Sequence, residues 1–232
     1  MQIHGLQKLT LLDFPGHIAC TVFTGGCNFR CPFCHNAGLV LAPEKAPLIP
    51  EDEFFAFLES RKGRLEGVAI TGGEPTIQKD LPEFIRAVRA KGFAVKLDSN
   101  GQNPDMLEAL LKEGLLNYVA MDIKNSRERY GETIGLPGFQ TDKVERSVKL
   151  LMESGIDYEF RTTLMAELHD DASMEAIGQW IQGCKAYYLQ SYRDSDEILA
   201  PGRYSAPDKQ TVERFREILL PYVPSVSIRG ID

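Results

Sequence analysis

The chain has 232 residues, 43% of them hydrophobic and 25% charged, and a net charge of -7. That length can bury a full core as one α/β unit, and the acidic balance argues against a general nucleic-acid binder, which carries a basic patch. No apolar run approaches the ~20 residues that cross a bilayer, and the start, MQIHGLQKLTLLDFPG, lacks the apolar stretch and cleavage site of a signal peptide, so a cytoplasmic protein is expected.

Short β-rich runs alternate with amphipathic helical runs. In chain order the pattern predicts a strand over His17–Phe23, a helix over Glu51–Lys62, a strand over Val68–Thr71 and a helix over Pro82–Lys91. A strand over Ala94–Leu97, a helix over Pro104–Glu113, a strand over Tyr118–Met121 and a helix over Asp142–Ser154 follow. A strand over Tyr158–Thr162, a helix over Met174–Gln182, a strand over Tyr187–Gln190, a helix over Asp208–Leu220 and a short run over Val226–Arg229 complete the series. The strands are rich in Val, Ile, Ala, Tyr and Phe over lengths typical of buried strands. Most of the helices stop at a glycine, the expected left-handed terminator. Leu39–Ile49 is the longest non-periodic stretch and is expected to pack beside the loop before it.

This alternation implies an α/β fold with a parallel sheet and outer helices. Six units form a partial (β/α)6 TIM-like barrel, with a doubly wound sheet as the structural competitor. Nothing breaks the composition, so a single domain over 1–232 is expected, with 1–16 as an N-terminal extension and 24–38 as a ligand-binding loop. In such folds functional groups gather at the carboxyl ends of strands. Those ends carry Thr24-Gly25-Gly26-Cys27, Thr71-Gly72-Gly73-Glu74-Pro75, Asp98-Ser99-Asn100-Gly101, Asp122-Ile123-Lys124-Asn125, Arg161 with Thr163, and Ser191-Tyr192-Arg193.

Three of the five cysteines fall within eight residues, as Cys27-x3-Cys31-x2-Cys34. In a reducing compartment such a group is metal-binding or redox-active rather than a disulfide framework. Thiolates ligate both iron–sulfur clusters and structural zinc. Three cysteines leave one iron of a [4Fe–4S] cluster open to a ligand, whereas zinc wants a fourth donor, for which Cys20 and His35 are available. Cys20 and Cys184 otherwise suit ordinary packing. His4 and His17 are assigned structural roles, and His169 is a weaker candidate for lining a substrate groove. Trp180, Tyr187 and Tyr188 are packing aromatics, and Glu51-Asp52-Glu53 is a helix N-terminal charge feature.

Cys-x3-Cys-x2-Cys with Phe33 before the last cysteine resembles the defining motif of the radical S-adenosylmethionine (SAM) superfamily, and Gly72-Gly73-Glu74 resembles its GGE motif. Asp13-Phe14-Pro15-Gly16, Phe23-Thr24-Gly25-Gly26-Cys27-Asn28, Cys34-His35-Asn36, Leu97-Asp98-Ser99-Asn100-Gly101 and Met121-Asp122-Ile123-Lys124 narrow the likeness to glycyl-radical-enzyme activases. Within these, the branch that activates anaerobic (class III) ribonucleoside-triphosphate reductase is the most similar. The resemblance implies that Cys27, Cys31 and Cys34 bind three irons of a [4Fe–4S] cluster and that SAM chelates the fourth. Phe33 would lie near the adenine. Gly72 and Gly73 would admit the ligand to the backbone. Glu74 would accept from the methionyl ammonium and Lys124 would pair with the carboxylate. Ser99, Asn100, Asp122 and Arg161 would complete the cofactor contacts, and Asp98, Ser99 and Asp122 are candidates for a monovalent cation site.

The implied chemistry is reductive cleavage of SAM, with an electron from a flavodoxin or ferredoxin, and abstraction of a hydrogen atom from a glycine of the partner enzyme. Two departures stand out. No further cysteines follow the cluster loop, so one cluster is expected. The last core strand ends Leu189-Gln190-Ser191-Tyr192-Arg193 where activases often carry a histidine. The alternatives are a radical SAM enzyme acting on a small molecule, such as a deazapurine precursor, and a zinc-stabilised binding module, which leaves Gly72-Gly73-Glu74 without explanation.

Overall fold

In the computed structural model, which describes residues 1–230, eight strands form one sheet in sequence order. They are β1 (Ile3–Thr10), β2 (Ala19–Thr24), β3 (Gly67–Gly72), β4 (Ala94–Ser99), β5 (Tyr118–Asp122), β6 (Asp157–Leu164), β7 (Tyr187–Ser191) and β8 (Val226–Arg229). From β2 to β8 every neighbouring pair is parallel. Helices α1 (Ala37–Leu41), α2 (Glu51–Ser60), α3 (Leu81–Ala90), α4 (Pro104–Lys112), α5 (Tyr130–Thr133), α6 (Asp142–Glu153), α7 (Asp171–Trp180) and α8 (Lys209–Leu219) make the crossovers. Strands that feed helices and return parallel do so with one hand, so a sheet in strict sequence order curls into a partial TIM-like barrel whose edges are β1 and β8.

The parallel order agrees with the alternation of the sequence, with two differences. Seven strands are parallel rather than six, because Val226–Arg229 pairs with β7. Residues 1–16, expected as an extension, supply β1, which lies antiparallel on β2. Its register shifts between Ile3 and Gly5 and again between Gln7 and Thr10. Those irregularities break the period-two pattern that marks a strand in sequence.

The connection from β1 to β2 seals the amino-terminal end of the sheet. Phe14 is buried and stacks on His17 with ring centroids 4.1 Å apart. A Cβ on Gly67 would lie 2.7 Å from the Phe14 ring, so that glycine makes room for it. Asp13 accepts a hydrogen bond from the Thr21 hydroxyl at 2.6 Å. The core between sheet and helices is apolar, built from Val68, Ile70, Val95, Leu97, Val119 and their helix partners. The concave face is different. Lys96 and Asp98, two residues apart on β4, share it as alternation requires, and with Glu159, Arg161, Gln190 and Arg229 they line a cavity of about 590 Å³.

Candidate functional site

At the opposite end, the loop after β2 carries Cys27, Cys31 and Cys34 and lies against the end of β3. Gly26 N–H donates to the Leu39 carbonyl at 2.8 Å, which seats Leu39–Ile49 beside the cysteine loop as expected. Glu74 N–H donates to the Gly26 carbonyl at 2.8 Å. A Cβ on Gly73 would lie 1.8 Å from the Gly26 carbonyl oxygen, and one on Gly72, at φ +117°, 2.3 Å from the Thr24 nitrogen. Neither position admits a side chain, so the glycine pair is what lets the two loops touch. Asn36 adds a side-chain bond to the Gly72 carbonyl at 2.6 Å and Gln78 one to the Gly25 carbonyl at 2.7 Å.

Cys31 is buried, and Cys27 and Cys34 are half-buried. All three lie within electrostatic reach of Lys124. Burial dominates: it pushes the Cys31 thiol up to about 12 and raises those of Cys27 and Cys34, while Lys124 pulls each the other way. Metal binding must therefore displace protons, and the nearby ammonium favours the thiolates that result. Phe33 is buried in the same loop.

Lys124 belongs to a chain of ion pairs across three strands. It runs Lys96–Asp98, Asp98–Arg161 at 3.2 Å, Arg161–Asp122, and Asp122–Lys124 at 2.8 Å. Asp122 and Arg161 are direct register partners on β5 and β6. Burial alone would raise the Asp122 carboxyl, but Arg161 and Lys124 outweigh it and hold it well below the usual carboxylate range. Burial would likewise discharge Lys124, yet Asp122 holds its ammonium charged. Three cations to two carboxylates leave this end of the barrel able to receive an anionic group. Lys96 escaped notice in the sequence. Its only signal was its spacing of two from Asp98 on one strand.

Glu74 sits differently from the expectation. Its carboxylate is 1% exposed and turned inward. It accepts from Thr76 N–H (3.1 Å), the Thr76 hydroxyl (2.5 Å), the Ser99 hydroxyl (2.9 Å) and Asn100 N–H (2.6 Å). Burial raises this carboxyl, and the four donors oppose that rise. Glu74 thus ties the end of β3 to the end of β4. Of the expected cation ligands, Asp98 and Asp122 meet at Arg161, whereas the Ser99 hydroxyl points to Glu74. Asn100 bridges the two groups: its backbone meets Glu74 and its side chain meets Asn28 at 2.7 Å.

His169 is buried, with Nε2 3.0 Å from the Lys124 carbonyl and Nδ1 accepting from Met165 N–H at 3.1 Å. It supports the Lys124 backbone, and it also borders a cavity of about 760 Å³ lined by Asp170, Asp208 and Arg214. Tyr192 is buried and donates to Asp194 at 2.8 Å, with its ring centroid 6.2 Å from that of His35. Ala200 N–H donates to the Pro32 carbonyl at 2.8 Å, so the segment after β7 crosses the cysteine loop.

The radical SAM superfamily description matches residues 21–178, more than half of the chain. The chain belongs to the radical SAM superfamily. Enzymes of this superfamily use a [4Fe–4S] cluster and SAM, and the donor set fits: three thiols on one loop with a charged lysine beside them. The zinc alternative fits less well. Thiolates sharing one zinc lie within about 4 Å of each other, given Zn–S bonds of about 2.3 Å. Among the described residues no three His, Cys, Asp or Glu side chains converge on a single ion. Cys20, the spare thiol, is buried within β2.

A protein of Methanocaldococcus jannaschii, named provisionally as a glycyl-radical enzyme activating enzyme, is 29% identical over 99% of this chain and 96% of its own length. The pyruvate formate-lyase-activating enzyme of Listeria monocytogenes is 32% identical over 53% of each chain. Among solved structures, a radical SAM methyltransferase from Sphaerobacter thermophilus superposes with a TM-score of 0.73 at 18% identity, over 96% of this chain and 69% of that one. That likeness is one of fold.

Proposed function

We propose that this protein is a glycyl-radical-enzyme activase whose partner is an anaerobic ribonucleoside-triphosphate reductase. The observation that carries the activase reading is the similarity along nearly the whole of both chains to the Methanocaldococcus protein. The reductase as partner rests on the runs Asp13–Gly16, Phe23–Asn28 and Cys34–Asn36, which together resemble that branch. In this reading the chain is one domain working in the cytoplasm, residues 24–38 are its cluster loop, and a flavodoxin or ferredoxin supplies the electron.

When bound, the cluster and SAM supply a radical able to take a hydrogen atom from a glycine Cα. The chain's own residues hold and orient that pair. Cys27, Cys31 and Cys34 ligate three irons and leave the fourth open. Lys124, kept charged by Asp122, pairs with the SAM carboxylate. Gly72 and Gly73 bring backbone rather than side chain to the methionyl end, since Glu74 is turned away. Phe33 packs toward the adenine. Ser99, Asn100 and Arg161 keep the strand ends in register around it.

The test is anaerobic reconstitution with iron and sulfide, reduction with dithionite in the presence of SAM, and assay of 5′-deoxyadenosine. Purified anaerobic reductase and pyruvate formate-lyase are then offered separately, with electron paramagnetic resonance (EPR) as readout. A glycyl radical on the reductase alone supports the reading. A radical on the lyase alone moves the partner, and 5′-deoxyadenosine with no radical on either favours the small-molecule alternative. Alanine at Cys27, Cys31 or Cys34 is expected to abolish SAM cleavage.

A further inference from the structure

Cys27 differs from the other two cysteines in its polar surroundings. Its sulfur accepts from Phe29 N–H at 3.4 Å, and the side-chain nitrogen of Asn100 lies 3.9 Å away, within the range of an N–H···S contact. The orientation of that amide is decided by its neighbours, since oxygen and nitrogen are assigned from the hydrogen-bond network. Gln102 N–H donates to Asn100 Oδ1 at 3.0 Å, so Nδ2 must face the cysteine loop. Nδ2 carries two hydrogens. One reaches Asn28 Oδ1 at 2.7 Å, which leaves the other for Cys27, whose sulfur is 3.9 Å from the nitrogen. The residue is 6% exposed, and its backbone N–H is anchored on Glu74 at 2.6 Å, so the amide has little freedom to turn away.

We infer that Asn100 is a positioning residue that sets the reduction potential of the cluster, through a hydrogen bond from its side-chain amide to the sulfur of Cys27. This rests on the reading that Cys27 is an iron ligand. In the metal-free protein the Cys27 thiol lies 3.9 Å from Asn28 Oδ1 as a donor. Ligation removes that proton, and the sulfur becomes an acceptor only. One-electron reduction then adds negative charge that is shared with the thiolates. A donor aimed at a thiolate stabilises the more negative state and raises the potential. Burial strengthens the effect, because water does not compete for the sulfur.

The experiment uses the full chain, reconstituted anaerobically, as wild type, Asn100→Asp and Asn100→Leu. Both variants are close in size to asparagine and lack the amide donor. Iron and sulfide are counted first, and the potential is then measured by EPR-monitored redox titration without SAM. The expected result is full cluster content with a potential more negative than wild type in both variants, and lowest in Asn100→Asp, where a carboxylate faces the sulfur. Full clusters that titrate at the wild-type potential in both would overturn the inference. A wild-type protein that takes up no iron–sulfur cluster would instead defeat the proposed function, and the iron count reports that separately. If the variants fail to load, wild-type protein labelled with 15N in its asparagine side chains decides the matter. A weak 15N coupling to the reduced cluster in pulsed electron–nuclear double resonance is expected, and its absence overturns the inference.

Discussion

The carbonyl oxygen of Gly26 lies so close to the Cα of Gly73 that a Cβ built there would sit 1.8 Å from it. The cysteine loop and the end of β3 are therefore in backbone contact, a contact reinforced by the Glu74 N–H bond to the same carbonyl. Gly73→Ala is expected to force the loops apart and cost about 3 kcal/mol, the upper end for overpacking a tight site. Cluster content after reconstitution should fall with it. Gly38→Ala is the control. Gly38 lies in α1 with nothing within 4 Å of a built Cβ, so that change should be neutral or stabilising by about 0.5 kcal/mol. Equal cluster loss in both variants would contradict the argument.

Arg161 joins Asp98 to Asp122, and its removal leaves Asp98 with Lys96 alone and Asp122 with Lys124 alone. Arg161→Leu should destabilise the protein by about 3 kcal/mol, the low end for breaking a buried pair, because each carboxylate keeps a lysine partner and some contact with solvent. The pH dependence has a defined sign. Asp98 and Asp122 have folded-state values below their unfolded ones. Their contribution is present above the unfolded carboxylate range near pH ~4 and is lost as pH falls through the folded values. In Arg161→Leu the carboxyls rise, so urea unfolding at pH 5, 4 and 3 should show that variant losing less stability on acidification below pH ~4 than wild type. Parallel losses would rule out Arg161 as the cause of the depressed carboxyls.

Burial lowers the titration of His169, and its Nδ1 accepts from Met165 N–H, which leaves the proton on the Nε2 that faces the Lys124 carbonyl. A base whose folded value is depressed binds fewer protons folded than unfolded near its unfolded pKa. Its stabilising effect is complete above about pH 6.5 and declines below it. His169→Gln should cost about 1 kcal/mol at pH 7 for a lost hydrogen bond and should flatten the stability profile between pH 7 and 5. Nitrogen chemical shifts of the wild-type ring should report the neutral Nε2–H form at pH 6.

Four donors converge on Glu74, so an amide in its place must oppose one N–H or O–H with another. Glu74→Gln should cost about 2 kcal/mol through that unsatisfied donor, visible in the metal-free protein by denaturant unfolding. A carboxylate whose sole duty was to receive an ammonium from a bound ligand would leave the metal-free stability unchanged, and such a result would count against the inward-facing role.

Much of the fold is written locally. Alternating strand and helix periods, and glycines at helix ends, are short-range features that place the parallel strands and the loop following each. Strand β1 escaped this reading because its pairing slips twice and its burial does not alternate. The same limit applies at the site. Cys27, Cys31 and Cys34, Gly72-Gly73-Glu74 and Lys124 stand out because spacing and strand-end position are properties of the sequence itself.

The sequence by itself determined the alternation of strands and helices, the thiol triad and the acidic and basic groups at the strand ends, while the strand order that makes a partial barrel rather than a doubly wound sheet came from the tertiary structure. Only the tertiary structure decided where those groups point: Glu74 inward to Ser99 and Asn100, Lys96 into the ion-pair chain with Asp98 and Arg161, and Asn100 onto Cys27. These partners come from different loops and strands, up to 73 residues apart in the case of Asn100 and Cys27. Their meeting depends on the register of neighbouring strands and on a contact at Gly73 that leaves no room for a side chain. Local periodicity carries neither.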